Sequence, residues 1–258
     1  MKYTNKYNLP DVVVRAVTND PYSKGKSDFS ATELIKPARQ RALFIKHQND
    51  ITKDVSEMSY TLIGNNCHYI AERAERLGID LCEERFFSTF IVDGKEFVVS
   101  AQIDIFETDT QTLIDWKTSK AYAVGKKTGY GQKPEWIAQL NIGAELLRRN
   151  GHVPSSIQII AVIKDWYSDQ AGIDGYPLTP FHPIRLPLWS SKTTTKWIID
   201  RIRIHQEALT KLPLCTKEET WYGRMCEEYC DVSSFCEQYQ TKLKAKEIKD
   251  GTSGGADS

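Results

Sequence analysis

The chain has 258 residues, 34 Lys plus Arg against 34 Asp plus Glu, a formal net charge of zero, and 40% hydrophobic with 26% charged residues. This composition suits a folded globular protein. It excludes disordered, collagenous and low-complexity classes, and also a uniformly basic nucleic-acid binder. At about 150 residues per domain, the length allows one large domain or one domain with an appendage. No stretch approaches the roughly 18 apolar residues of a membrane span, so no membrane is expected as a partner. Met1-Lys2-Tyr3-Thr4-Asn5 lacks the apolar core of an export signal. A cytoplasmic location is therefore expected. In that reducing compartment the six cysteines should not form disulfides.

Residues 1–29 are mixed and polar and read as a loosely attached arm. Ser30-Ala31-Thr32-Glu33 has the form of a capping box, with Ser30 as N-cap and Glu33 reaching back. Pro37 restarts a helix that runs to about His47, and between Leu34 and Asn49 there are four cations (Lys36, Arg39, Arg41, Lys46) and no acid. Residues 57–77 form the next predicted helix, with Met58, Leu62, Tyr69, Ile70, Ala74 and Leu77 near helical spacing and Gly78 as its stop.

The hydrophobic period then changes to two. Glu84–Val92 is predicted as a strand, Asp93-Gly94 as a two-residue hairpin turn, and Lys95–Glu107 as a return strand long enough to bend or bulge. Thr112–Trp116 is a third, short strand, followed by a Lys- and Gly-rich loop over 118–134. Pro134 opens a helix that runs through Asn150 and is closed by Gly151. Ser156–Trp166 carries a nearly continuous apolar run, as a buried central strand would. A Gly- and Pro-rich loop over 167–183 leads to an edge strand at Ile184–Leu188 and a long amphipathic helix at Ser190–Thr210. A Cys- and acid-rich module occupies 211–240, and 241–258 is expected to be a disordered tail. This order predicts an α/β domain over 30–210, with a mixed central β-sheet flanked by helices and the 211–240 module packed on it.

Asp104 lies in Gln102-Ile103-Asp104-Ile105, and Asp115 and Lys117 in Leu113-Ile114-Asp115-Trp116-Lys117. On a strand, positions i and i+2 share a face, so Asp115 and Lys117 sit side by side. An adjacent antiparallel strand can bring Asp104 opposite them. Two hard carboxylates suit Mg²⁺ or Mn²⁺, and an ammonium suits a phosphate oxygen or a developing nucleophile. A solvated ion pair explains Asp115 and Lys117 as well. Asp104 between Ile103 and Ile105 is costly to bury unless it is paired or metal-bound. His68 and Gln139 carry no signal alone.

Taken in order, Gly64-x-x-x-His68, Gln102-Ile103-Asp104, Ile114-Asp115-Trp116-Lys117-Thr118-Ser119 and Gln139-Leu140 resemble the motifs of RecB-type nucleases of the PD-(D/E)XK superfamily, and the Ser30–Leu34 region resembles its phage-type members. The resemblance covers roughly residues 28–240 and implies a restriction-endonuclease-like core. It implies a metal held by His68, Asp104, Asp115 and the Trp116 carbonyl. Lys117 would orient the attacking water or stabilise the transition state, and Gln139 would position Lys117 or a phosphate. Two departures stand out. Many members have Gly shortly before the first Asp, where this chain has Ser100-Ala101-Gln102, and many have Tyr four residues after the Gln, where this chain has Gly143.

Cys215, Cys226, Cys230 and Cys236 fall close together, and Cys226 and Cys230 at i and i+4 share a helical face. Such a cluster in a reducing compartment reads as metal-binding, with buried structural thiols as the alternative. Paired CxxC knuckles of a zinc ribbon are absent. The resemblance implies a [4Fe-4S] cluster, which such nucleases often hold on three C-terminal cysteines and a fourth upstream. Cys226, Cys230 and Cys236 look like that triplet. Cys215 is taken as the fourth ligand, with Cys67 as runner-up, Cys82 as a core residue, and Zn²⁺ as the alternative ion.

The zero net charge is a cancellation. Residues 116–134 hold five lysines (Lys117, Lys120, Lys126, Lys127, Lys133) and no acid, and 217–237 hold six acids against two cations. The basic loop is expected to bind a DNA backbone, with affinity that falls as salt rises. The expected function is a metal-dependent DNA exonuclease or end-processing nuclease, acting on single strands or duplex ends in replication, recombination, repair or CRISPR-type adaptation. The alternatives are a non-cleaving DNA-end-binding module and a zinc-stapled interaction module. No P-loop motif is present, so a helicase partner would be a separate chain.

Overall fold

A computed structural model describes residues 1–19, 23–59, 62–64, 73–76, 78–125 and 131–253, with side chains through 246. Its strands, among those residues, are β1 (Lys2–Thr4), β2 (Phe29–Ser30), β3 (Thr52–Asp54), β4 (Leu81–Cys82), β5 (Arg85–Val92), β6 (Lys95–Gln102), β7 (Ile105–Glu107), β8 (Thr112–Ser119), β9 (Ser156–Ile163) and β10 (Phe181–Leu186). Sheets of mixed sense with flanking helices make this an α/β protein, as the element order predicts. The chain divides into two compact units, one of residues 5–35 and 55–201, the other of 1–4, 36–54 and 202–258.

The larger unit holds two sheets, β10-β9-β8-β7-β4 and β2-β6-β5. β8 and β9 are parallel, while β7 with β8 and β9 with β10 are antiparallel. β9 lies inside the sheet with Ile157, Ile159 and Ala161 fully buried, which accounts for its apolar run. β10 is the edge strand and begins at Phe181, earlier than Ile184. The β5–β6 hairpin turns on Asp93 (φ 51°) and Gly94 (φ 78°), both left-handed as a two-residue hairpin requires. The capping box forms reciprocally: the Ser30 N–H donates to Glu33 Oε2 at 2.9 Å, and the Glu33 N–H donates to Ser30 Oγ at 3.2 Å.

The expected single strand Lys95–Glu107 is two strands. β6 ends at Gln102 in one sheet and β7 begins at Ile105 in the other. At the break the Ile103 N–H donates to the Glu84 carbonyl, and the Asp104 carbonyl accepts from the Glu83 N–H. The backbone thus stays satisfied while the chain changes sheets, and Asp104 sits at the corner. The helix Pro134–Arg149 lies close on β8: a Cβ at Gly143 would stand 3.3 Å from Leu113 Cδ2 and 3.8 Å from Ile103 Cγ2. Gly143 is therefore a close-packing position, where a larger residue would press on Leu113.

In the smaller unit the helix Ala38–His47 packs on the C-terminal segment. Leu43 and Ile51 form a core with Val232 and Cys236, and Ala38 and Ala42 form one with Ala208. His47 stacks on Phe235 at 4.4 Å, and Lys53 pairs with Asp231 at 2.7 Å. This helix was expected in the domain over 30–210. Its apolar face groups it instead with the cysteine segment. Residues 1–29 are not a loose arm throughout, because β1 pairs in parallel with β3 and Asp11–Thr18 is helical. The tail expected to be disordered from 241 is a helix, Glu237–Ser253, as far as 253; residues 254–258 lie outside the described set. Most of the predicted helix 57–77 also lies outside it; Val55–Met58 is a 3₁₀ turn. Among the described residues no helix is long and apolar enough to cross a membrane.

Gly143→Leu should lower stability by about 1–3 kcal/mol by overpacking against Leu113 and Ile103. Urea unfolding would show this as a reduced midpoint with an unchanged slope.

Candidate functional site

The corner between β6 and β7 builds the site. Ile105 pairs with Ile114 in antiparallel register, so Asp104 falls opposite Asp115 one step further. Asp104 Oδ2 accepts the Trp116 N–H at 2.7 Å, which ties the corner to β8. Asp115 and Lys117 share a face of β8, and the Lys117 Nζ stands 2.7 Å from Asp115 Oδ2. On the helix packed over that face, Gln139 Nε2 donates to Asp115 Oδ1 at 3.3 Å. Asp104 is 4% exposed and Asp115 6%. Trp116 points to the other face, beside Ile105, Ile114 and Ile160. Four residues predicted from the sequence thus meet in one place: Asp104, Asp115, Lys117 and Gln139.

Burial opposes the charge on Lys117. The nearby Asp115 and Asp104 carboxylates outweigh it and hold the ammonium above the ordinary lysine value of 10.5. The stabilisation this gives is complete below that value and is lost only as pH rises through the higher folded value.

The other expected residues are dispersed or lie beyond view. His68, Cys67, Lys126 and Lys127 are outside the described residues. Lys120 is exposed and precedes the short helix Ala121–Val124. Lys133 is half-buried with its ammonium 4.1 Å from the centre of the Trp136 ring, and burial lowers its pKa. Among the described residues no group of three or more His, Cys, Asp or Glu side chains is arranged to hold a metal ion. Asp104 and Asp115 are the carboxylates that the fold brings together at the β6–β7 corner.

The smaller unit holds a second constellation. Cys215, Cys226, Cys230 and Cys236 line one pocket of about 380 Å³, part of it open to solvent, together with Arg39 and Gln40. The Gln238 side chain clamps the Cys215 backbone, accepting from its N–H and donating to its carbonyl, each at 2.9 Å. Burial above all, then Glu219 and the three neighbouring cysteines, pushes the Cys215 thiol up to about 12. Burial also raises Cys226 and Cys230. A bound cation would reverse that logic and favour thiolates. Sequence reading found the cysteines but missed Arg39 and Gln238, whose roles depend on long-range placement and carry no local signal. It also missed Glu145, a buried carboxylate held by Arg149 at 2.9 Å, Arg148 at 3.3 Å and Ser191 Oγ at 2.9 Å.

The class defined so far is an α/β fold with a carboxylate–lysine site on its mixed sheet. No family model and no curated protein matches the chain. Among solved structures the chain is similar to SSO0001, with a TM-score of 0.56 and 14% identity over 89% of this chain and 94% of that one. That likeness shows a shared fold. It is also similar to a phage-related exonuclease from Haemophilus somnus 129PT (TM-score 0.37, 17% identity, 73% of this chain and 82% of that one). LHK-Exo in complex with dAMP is a further similar structure (TM-score 0.37, 14% identity, 70% of this chain and 93% of that one). At those scores neither exonuclease says what this chain does.

The Lys117 ammonium should stay protonated from about pH 6 to about pH 10. A ¹³C-lysine NMR titration, with Lys117 assigned by the spectrum of Lys117→Met, would show a flat Cε resonance over that range. A midpoint below the ordinary lysine value would contradict the pairing.

Proposed function

We propose that the chain is a Mg²⁺- or Mn²⁺-dependent deoxyribonuclease, an exonuclease or end-processing enzyme that hydrolyses phosphodiester bonds in single-stranded DNA or at duplex ends. The convergence of Asp104, Asp115, Lys117 and Gln139 at one corner of the sheet carries this reading. Two buried carboxylates are hard oxygen donors of the kind that suit a small divalent ion. Asp104 and Asp115 would hold it, and the resemblance in sequence adds His68 and the Trp116 carbonyl. Such an ion lowers the pKa of bound water from about 15.7 towards neutrality and neutralises charge on the non-bridging phosphate oxygens.

The chain's own residues supply the rest. Asp115 accepts from Gln139 and pairs with Lys117, so the ammonium is held at a fixed place beside the carboxylates. From there Lys117 can donate to the attacking water or to a phosphate oxygen that gains charge in the transition state. Asp104 keeps its orientation through the Trp116 N–H. Lys120, Lys126, Lys127 and Lys133 would attract the DNA backbone in a salt-dependent way.

The cysteine pocket is read as a [4Fe-4S] site on Cys215, Cys226, Cys230 and Cys236, with Zn²⁺ as the alternative. Four soft sulfur donors line one pocket and suit such a group by type, although as placed they do not close around a single metal ion. Cys215 lines the same pocket as the other three, which favours it as the fourth ligand. The setting would be DNA replication, recombination, repair or CRISPR-type adaptation.

Digestion of end-labelled linear DNA with Mg²⁺ or Mn²⁺ tests the enzyme. Lys117→Ala should lose about 10²–10³-fold in rate, the size of a lost transition-state donor. Asp104→Ala should lose at least as much. Equal rates in wild type and both variants would remove the site. Anaerobic purification followed by iron, sulfide and zinc analysis should return iron and sulfide. Zinc without sulfide would replace the cluster by a zinc staple.

A further inference from the structure

Arg39 is a buried charged residue that the proposed nuclease chemistry does not use. It is 6% exposed, although cations are seldom buried without a specific partner. Its partners are unusual. Nε donates to Cys236 Sγ at 3.2 Å, and Nη1 donates to the Pro213 carbonyl at 3.2 Å. Pro213 lies two residues before Cys215, and Cys236 is the last of the four cysteines. One planar guanidinium therefore bridges the two chain segments that carry the first and last sulfurs of the pocket.

We propose that Arg39 is a positioning residue for the metal group held by the four cysteines: it fixes the Cys236 sulfur and the Cys215 segment relative to each other, and its N–H and positive charge bear directly on a ligating sulfur. This inference rests on the metal-site reading of the pocket. A guanidinium suits both tasks, since its fork is rigid and its charge permanent. Partners that hydrogen-bond to metal ligands orient them and tune the metal, and losing one typically costs about 10–100-fold in metal affinity. The potential of an iron–sulfur cluster depends on hydrogen bonds to its sulfurs and on nearby charge. Reduction makes the cluster more negative, so a cation at Cys236 favours the reduced form and raises the potential.

The test uses the full chain, purified without oxygen, as wild type, Arg39→Lys and Arg39→Met, each checked for folding by circular dichroism. Iron, sulfide and zinc contents come first. If the protein holds iron and sulfide, both variants should release iron to a chelator about 10–100-fold faster than wild type. Arg39→Met should have a more negative reduction potential, and Arg39→Lys, which keeps a charge, should lie between. Release rates and potentials equal to wild type would overturn the role of Arg39 while leaving the cluster in place. If the protein holds zinc without sulfide, the cluster reading fails; zinc release about 10–100-fold faster in both variants would then support the role of Arg39, and release equal to wild type would overturn it. A measurement on wild type alone covers variants that do not fold. With ¹⁵N-arginine, pulsed electron paramagnetic resonance of the reduced cluster should show a nitrogen coupling from the Nε–H···S contact, and its absence would overturn the proposal.

Discussion

The hydrogen bond from the Trp116 N–H to Asp104 Oδ2 is the contact on which the site depends. A carboxylate in an apolar strand environment is expensive to bury. Here the cost is met by a backbone donor of β8, which would otherwise need its own partner where the β6–β7 chain turns away. The same bond pins the corner where one continuous stretch of sequence leaves the three-stranded sheet and enters the five-stranded one. It thereby sets Asp104 beside Asp115.

The helix Pro134–Arg149 closes the arrangement from above. Gly143 lets it approach β8 to within side-chain contact of Leu113, and one turn earlier Gln139 reaches Asp115. Farther along the same helix, Glu145 is held by Arg148, Arg149 and Ser191. Removing one partner of such a buried charged group costs far more than the pair contributes, because the remaining charge stays buried. The helix is therefore fixed at two points by polar contacts and between them by close packing. That rigidity suits a side chain whose task is to orient another.

Much of this was legible from local signals. The capping box at Ser30–Glu33, the Asp93-Gly94 turn and the Pro134-to-Gly151 helix each depend on residues within a few positions of one another, and the structure forms all three. The site's carboxylates and lysine were found because a strand's period of two is readable and a carboxylate flanked by isoleucines is anomalous. The sheet change at Ile103–Asp104 was not legible: the run Lys95–Glu107 keeps strand character on both sides of the break, and only pairing partners distinguish them. Nor was the grouping of the helix Ala38–His47 with Val232 and Cys236, since its apolar face matches any apolar surface until the fold selects one. Arg39 was hidden for a related reason. In sequence it is one of three Lys and Arg residues on the helix Ala38–His47, and only the packed structure turns it inward.

The smaller unit is assembled from residues 1–4, 36–54 and 202–258, with all of 55–201 between its second and third pieces. A ribosome releases the first two pieces long before the third. Until the C-terminal segment emerges, Ala38, Ala42 and Leu43 have no Ala208, Val232 or Cys236 to cover them. Closing so long a loop costs entropy that grows only slowly with its length, but the contacts that repay it arrive last. Completion of the cysteine pocket thus waits for residues 202–236, and a product stopped before them would leave the apolar face of the helix Ala38–His47 uncovered.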